Sequence, residues 1–101
     1  MNVDPRTGLS ARVTALLRAE VSRFPEVQAA YLYGSRARGD YTAQSDIDLA
    51  IDAPRMDSPQ FAQLWSAIEA LPIAFTRDCV WLQALPESAL KQQVLRDRRA
   101  L

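Results

Sequence analysis

Apolar positions recur along this chain at two spacings, and the switches between them mark out its elements. Val13, Leu16, Leu17 and Val21 fall three or four apart behind Ser10, the pattern of a helix with one apolar face. Ser10 offers the side-chain oxygen that a helix N-terminus needs, and Pro25 stops the helix by Phe24. Val27 to Tyr33 (VQAAYLY) is short, apolar and aromatic, which predicts a buried strand. It runs into Gly34-Ser35, a tight turn opening a short helix, and then a polar loop over 39–45. Asp46 to Asp52 (DIDLAID) alternates charged and apolar residues with a period of two, a strand pattern. After a connection at 54–59, with Ser58 as the expected N-cap, Phe61, Leu64, Trp65, Ile68 and Leu71 return to helical spacing until Pro72. Ile73 to Leu82 is β-branched and aromatic enough for a third strand. A last helix, opening at Pro86-Glu87, takes its apolar face from Leu90, Val94 and Leu95. The order α-β-α-β-α-β-α predicts an α/β unit in two or three layers around one small sheet. Residues 1–8, broken by Pro5 and Gly8, read as a loose terminus.

Composition narrows what such a unit can do. At 101 residues and 49% apolar content, the expectation is one domain over 1–101 with one core and little room for a second lobe. Twelve basic and twelve acidic residues cancel. A dedicated nucleic-acid binder needs a basic surplus to neutralise phosphates, so direct nucleic-acid binding is not expected. There is no His, which removes imidazole acid–base work, Ser-His and Cys-His nucleophiles, and imidazole zinc sites. Cys79 is the single Cys, which rules out an intramolecular disulfide and fits a reducing compartment. Within its apolar run it reads as a buried, inert thiol. No stretch is long and apolar enough for a membrane span, and the start lacks a signal peptide's order, so a cytoplasmic protein without a membrane partner is expected.

The chemistry concentrates in Gly34 to Leu49 (GSRARGDYTAQSDIDL). Asp46 and Asp48 are two apart on a predicted strand, which puts both carboxylates on one face, roughly 6–7 Å apart. Such a pair repels and loses hydration, and a hard divalent cation such as Mg²⁺ or Mn²⁺ turns it into a site. The competing reading is a strand edge whose acids face water. Gly34 lets the backbone approach a ligand, while Ser35 and the N–H groups of a helix start suit a phosphate; the competing reading is an ordinary turn. The forks of Arg36 and Arg38 suit phosphate oxygens as well, or else pair with Asp40 or Asp46 at the surface.

Together, Gly34-Ser35, a loop and Asp46-Ile47-Asp48 resemble the nucleotidyltransferase signature of the DNA polymerase beta superfamily. The fuller stretches GSRARGD and SDIDLAI look like the minimal nucleotidyltransferase (MNT) group, over nearly the whole chain. The resemblance implies the small nucleotidyltransferase fold, a short mixed sheet of about three or four strands with flanking helices. It implies a third carboxylate on a neighbouring strand, matched by Asp78 in FTRDCVW, where an acid inside so apolar a run is poorly explained as surface. Thr76-Arg77 depart from the aliphatic surroundings usual there.

By the same resemblance Asp46, Asp48 and Asp78 are catalytic and hold metal, two Mg²⁺ ions with Mn²⁺ as a substitute. Gly34, Ser35, Arg36 and Arg38 bind the nucleotide, with ATP as the substrate. Lacking the helical lobe of larger members, the chain is expected to complete its site with a partner, and MNT proteins pair with HEPN-family toxins. The expected activity is AMP transfer to a tyrosine of that ribonuclease, acting as its antitoxin. Two alternatives stay open: an antitoxin that works by binding alone, and a transferase acting on RNA or a small molecule. Tyr31, Tyr33, Trp65 and Trp81 are expected in the core, and Tyr41, in the polar loop, near the nucleotide or partner.

Overall fold

The computed structural model describes residues 2–101. Its first elements correct an expectation. Strands β1 (Val3–Asp4) and β2 (Leu9–Ser10) pair antiparallel as a small hairpin, so residues 2–8 are ordered rather than loose. Local hydrogen bonding accounts for this. The Asp4 carboxylate accepts from Arg6 N at 2.9 Å, and the Asp4 carbonyl accepts from Gly8 N at 2.7 Å. Gly8 takes φ +72°, which closes the turn without the penalty a side chain would bring.

Helix α1 (Ala11–Ser22) starts where expected, the Ser10 hydroxyl accepting from Val13 N at 3.2 Å, and buries Val13, Leu17 and Val21. The sheet holds β3 (Ala29–Tyr33), β4 (Ile47–Asp52), β5 (Arg77–Trp81) and β6 (Arg99–Ala100) in the order β5-β4-β3-β6. β4 and β5 are parallel and the other pairs antiparallel, giving the mixed sheet expected. β5 is shorter than the apolar run suggested. Before it, the Arg77 guanidinium gathers the carbonyls of Glu69, Ile73 and Phe75 into a connection. After it, Leu82–Ala84 forms a 3₁₀ turn.

Between β3 and β4 lies one helical turn, α2 (Ser35–Arg38). Helix α3 (Ser58–Glu69) is capped by Asp57 rather than Ser58: Asp57 and Gln60 exchange side-chain to backbone bonds of 2.8 and 2.9 Å, a capping box. Helix α4 (Ala89–Asp97) is capped by Ser88 instead of opening at Pro86-Glu87.

Strand alternation sorts the side chains. Ile47, Leu49 and Ile51 of β4, with Leu32 and Cys79, join α1 and α3 in the main core. Tyr33, Ala50, Leu82 and Val94 form a smaller cluster under α4, with Tyr31 and Val80 beside it. Period two therefore assigns Asp48 and Asp78 to the α4 face. Trp65 and Trp81 pack against the main core, as expected. Among the described residues no helix is long and apolar enough to cross a membrane.

Candidate functional site

The first link is a register. β4 and β5 lie parallel with Asp48 directly opposite Asp78, so the two carboxylates sit side by side on one face of neighbouring strands. On the other flank of β4, Tyr33 is opposite Asp48 and is buried, forming the apolar floor of the same shelf. Burial, then the charges of Asp48 and Asp78, push the Tyr33 phenol well above its ordinary range. Asp48 feels its surroundings more sharply. Partial burial first, then Asp78 and Asp46, raise its pKa from 3.8 to about 6, against a smaller opposing pull from Arg38. Asp78 is exposed, contrary to the expectation of a buried acid, because β5 is an edge strand; one oxygen accepts from Cys79 N at 3.0 Å.

Gly34 brings the phosphate-type turn to this pair. It takes φ +73° at the end of β3, and a Cβ placed there would lie 2.6 Å from Asp48 Oδ2. Only glycine leaves the room that lets the turn and the carboxylate adjoin. Ser35 opens α2 directly beside it.

Asp46 lies just before β4 and is exposed; its Oδ1 accepts from the Thr76 hydroxyl. Among the described residues no three acidic, cysteine or histidine side chains stand together closely enough, as placed, to hold an ion. In kind, however, carboxylates suit Mg²⁺ or Mn²⁺, and an Asp48 raised by partial burial and then by Asp78 and Asp46 is a donor that a cation would relieve. Asp48 and Asp78 are thus side by side, with Asp46 two residues before Asp48 and engaged by Thr76.

The two arginines part company. Arg38 fits a role beside the shelf: Nη1 donates to Asp97 at 2.8 Å and Nε to Asp40 at 3.2 Å, and its charge is felt at Asp48. Arg36 was expected at the nucleotide but is 1% exposed and turned inward. Its guanidinium donates to the carbonyls of Thr7 (2.9 Å) and Ser45 (3.0 Å) and lies 4.5 Å from the Phe75 ring centroid. A cation so enclosed has no free face for phosphate, so Arg36 is corrected to a structural clamp. Tyr41 likewise spends its hydroxyl on the Pro5 carbonyl at 2.8 Å.

Tyr33 is in the core as expected, while neither Thr76 nor Asp97 was expected at the site. Thr76 carries a signal in hindsight, standing two before Asp78 and so on the same face. Asp97 had none, since its partner Arg38 is 59 residues away. The cavity of about 380 Å³ beside the terminal hairpin, lined by Val3, Leu9, Thr14 and Arg18, is remote from the carboxylates.

Solved structures share this fold. A toxin–antitoxin complex crystallised with AMP-PNP matches at 29% identity and TM-score 0.59, over 88% of this chain and 68% of that one. The complex of tri-AMPylated Shewanella oneidensis HEPN toxin with MNT antitoxin matches at 27% identity and TM-score 0.55, over 88% and 65%. A Sulfolobus solfataricus protein shares the fold at 20% identity and TM-score 0.55, over 88% and 76%. Among curated proteins no sequence matches significantly. The family model for polymerase beta nucleotidyltransferases matches residues 17–101. That match takes in every strand of the four-stranded sheet and Asp46, Asp48 and Asp78: the chain belongs to the polymerase beta nucleotidyltransferase family.

Proposed function

We propose that this domain is a Mg²⁺-dependent adenylyltransferase that moves AMP from ATP to a tyrosine of a cognate HEPN-family toxin, and so acts as its antitoxin. The observation that carries the transfer chemistry is the Asp48–Asp78 pair, opposite each other on parallel strands with Gly34 packed against Asp48. The choice of nucleotide, acceptor and partner rests on likeness to the AMP-PNP complex and to the AMPylated Shewanella oneidensis toxin with its antitoxin.

In this reading the acceptor hydroxyl attacks the α-phosphorus of ATP, a new O–P bond forms, the bond to the β-phosphate bridging oxygen breaks, and pyrophosphate leaves. Asp46, Asp48 and Asp78 would hold the divalent ions, which neutralise charge on the triphosphate and on the departing pyrophosphate. Asp78, exposed on the edge strand β5, orients the acceptor hydroxyl and takes its proton. Gly34 adjoins Asp48, and in this reading its backbone and the Ser35 hydroxyl would grip the triphosphate tail, with Arg38 adding a cation. Most of the work is placement and charge.

The test is co-incubation of the two proteins with Mg-ATP, followed by mass spectrometry of the partner. One or more added adenylyl groups, absent with the Asp46→Asn/Asp48→Asn double variant, are expected. Neutralisation of the toxin with no mass change would replace this reading with a binding-only antitoxin. Label on RNA or on a metabolite, with none on protein, would assign a different acceptor.

A further inference from the structure

Asp46 differs from the other two acids in its support. Asp48 and Asp78 are carried by strands, whereas Asp46 lies at the end of the polar loop, one residue before β4 begins. Something other than sheet pairing must fix it, and two contacts bracket it.

On one side, Thr76 grips the segment twice. Its hydroxyl donates to Asp46 Oδ1, and its carbonyl accepts from Ile47 N at 2.9 Å. On the other side, Arg36 holds the preceding residue through two bonds to the Ser45 carbonyl, 3.2 Å from Nε and 3.0 Å from Nη2. The same guanidinium stacks on Phe75, the neighbour of Thr76. A buried arginine thus joins the residue before Asp46 to the residue before Thr76. Arg36 forms no ion pair among the described residues; carbonyls and ring faces compensate its charge instead. That is a costly device unless the loop it braces must be held in one place.

We propose that Thr76 is a positioning residue for Asp46, its hydroxyl holding one carboxylate oxygen so that the other is presented to a divalent cation, with Arg36 locking the loop that delivers Asp46. This rests on the metal-dependent reading above. Partners that orient a ligating carboxylate in this way typically change metal affinity 10- to 100-fold when removed.

Because Thr76 is exposed, its variants test positioning without emptying the core. Mn²⁺ alone would be titrated into wild type, Thr76→Val and Thr76→Ser, following the free-ion signal by electron paramagnetic resonance, with thermal unfolding of each metal-free protein. The expected result is Mn²⁺ affinity about tenfold weaker in Thr76→Val at an unfolding temperature close to wild type, and affinity restored in Thr76→Ser. Equal affinity in wild type and Thr76→Val would overturn the positioning role while leaving the metal reading intact. Tighter binding in Thr76→Val would overturn it too, showing that the hydroxyl withholds Asp46. Absence of Mn²⁺ binding by the wild type would overturn both at once.

Discussion

Replacing Asp48 by Asn should make the metal-free protein more stable at neutral pH while abolishing transfer. Asp48 is half-buried between Asp78, Asp46 and the Tyr33 floor, and its pKa in the fold is about 6 against an ordinary 3.8. The folded state therefore holds the proton more tightly than the unfolded chain. The stability this group contributes is complete below pH 3.8 and is lost as pH rises through about 6. Taken at face value, the difference is worth about 3 kcal/mol. Half the group faces solvent, so screening reduces the figure to about 1 kcal/mol. Asparagine keeps the shape and removes the charge. In a metal-free buffer at pH 7.5, Asp48→Asn should unfold roughly 4–8 °C above wild type, with the gap closing as pH falls toward 4. Mg²⁺ should narrow the gap by stabilising the wild type alone. Calorimetric scans at both pH values, with and without Mg²⁺, would measure this. An Asp48→Asn variant no more stable than wild type at pH 7.5, or a gap independent of pH, would refute the picture of a strained carboxylate cluster.

Other substitutions probe the remaining parts. Gly34→Ala forces a side chain into φ +73° and its Cβ to 2.6 Å from Asp48 Oδ2; it should cost about 1–2 kcal/mol from the backbone alone and displace Asp48, read as a lower unfolding midpoint with loss of transfer. Arg36→Met leaves the Thr7 and Ser45 carbonyls without their donor and should cost about 2–4 kcal/mol in urea titration, whereas a surface phosphate ligand would cost little stability. At Asp97, burial acts to raise the carboxyl, but the bonds from Arg38 and Arg96 outweigh it and hold it below 3.8. Its stabilisation is present above that value and fades as pH falls below it, so Asp97→Asn should lower the urea midpoint at pH 7 and differ less from wild type near pH 3. Cys79, pushed up to about 12 by burial and then by Asp78, should resist thiol reagents at pH 8 in the native protein and react at once in denaturant.

The sequence by itself determined the alternation of helices and strands, the two faces of β4 and the neighbourhood of the chemistry. Each of these depends on short-range rules: period 3.6 against period two, a serine before α1, a glycine where the chain must turn. Asp48 was legible because a strand's pleat sets which face its residue takes whatever lies around it, whereas Asp46 falls one residue before β4 and depends on Thr76. Asp78 was legible only through family resemblance, and its exposure follows from β5 lying at the sheet edge, which no local pattern encodes.

The tertiary structure alone decided the rest. Arg36 and Arg38 look equivalent two residues apart, yet one helical turn sends the first into carbonyls and ring faces and the second toward Asp97. The terminal hairpin closes on local bonds but is tied to the rest of the fold where Arg36 meets Thr7, 29 residues away, and β6 exists because β3 offers it an edge. Thr76 acquires meaning only once parallel pairing brings β5 alongside β4. Spacing along a chain fixes the direction in which a side chain points. What it meets there depends on segments far away in sequence, and only packing brings those together.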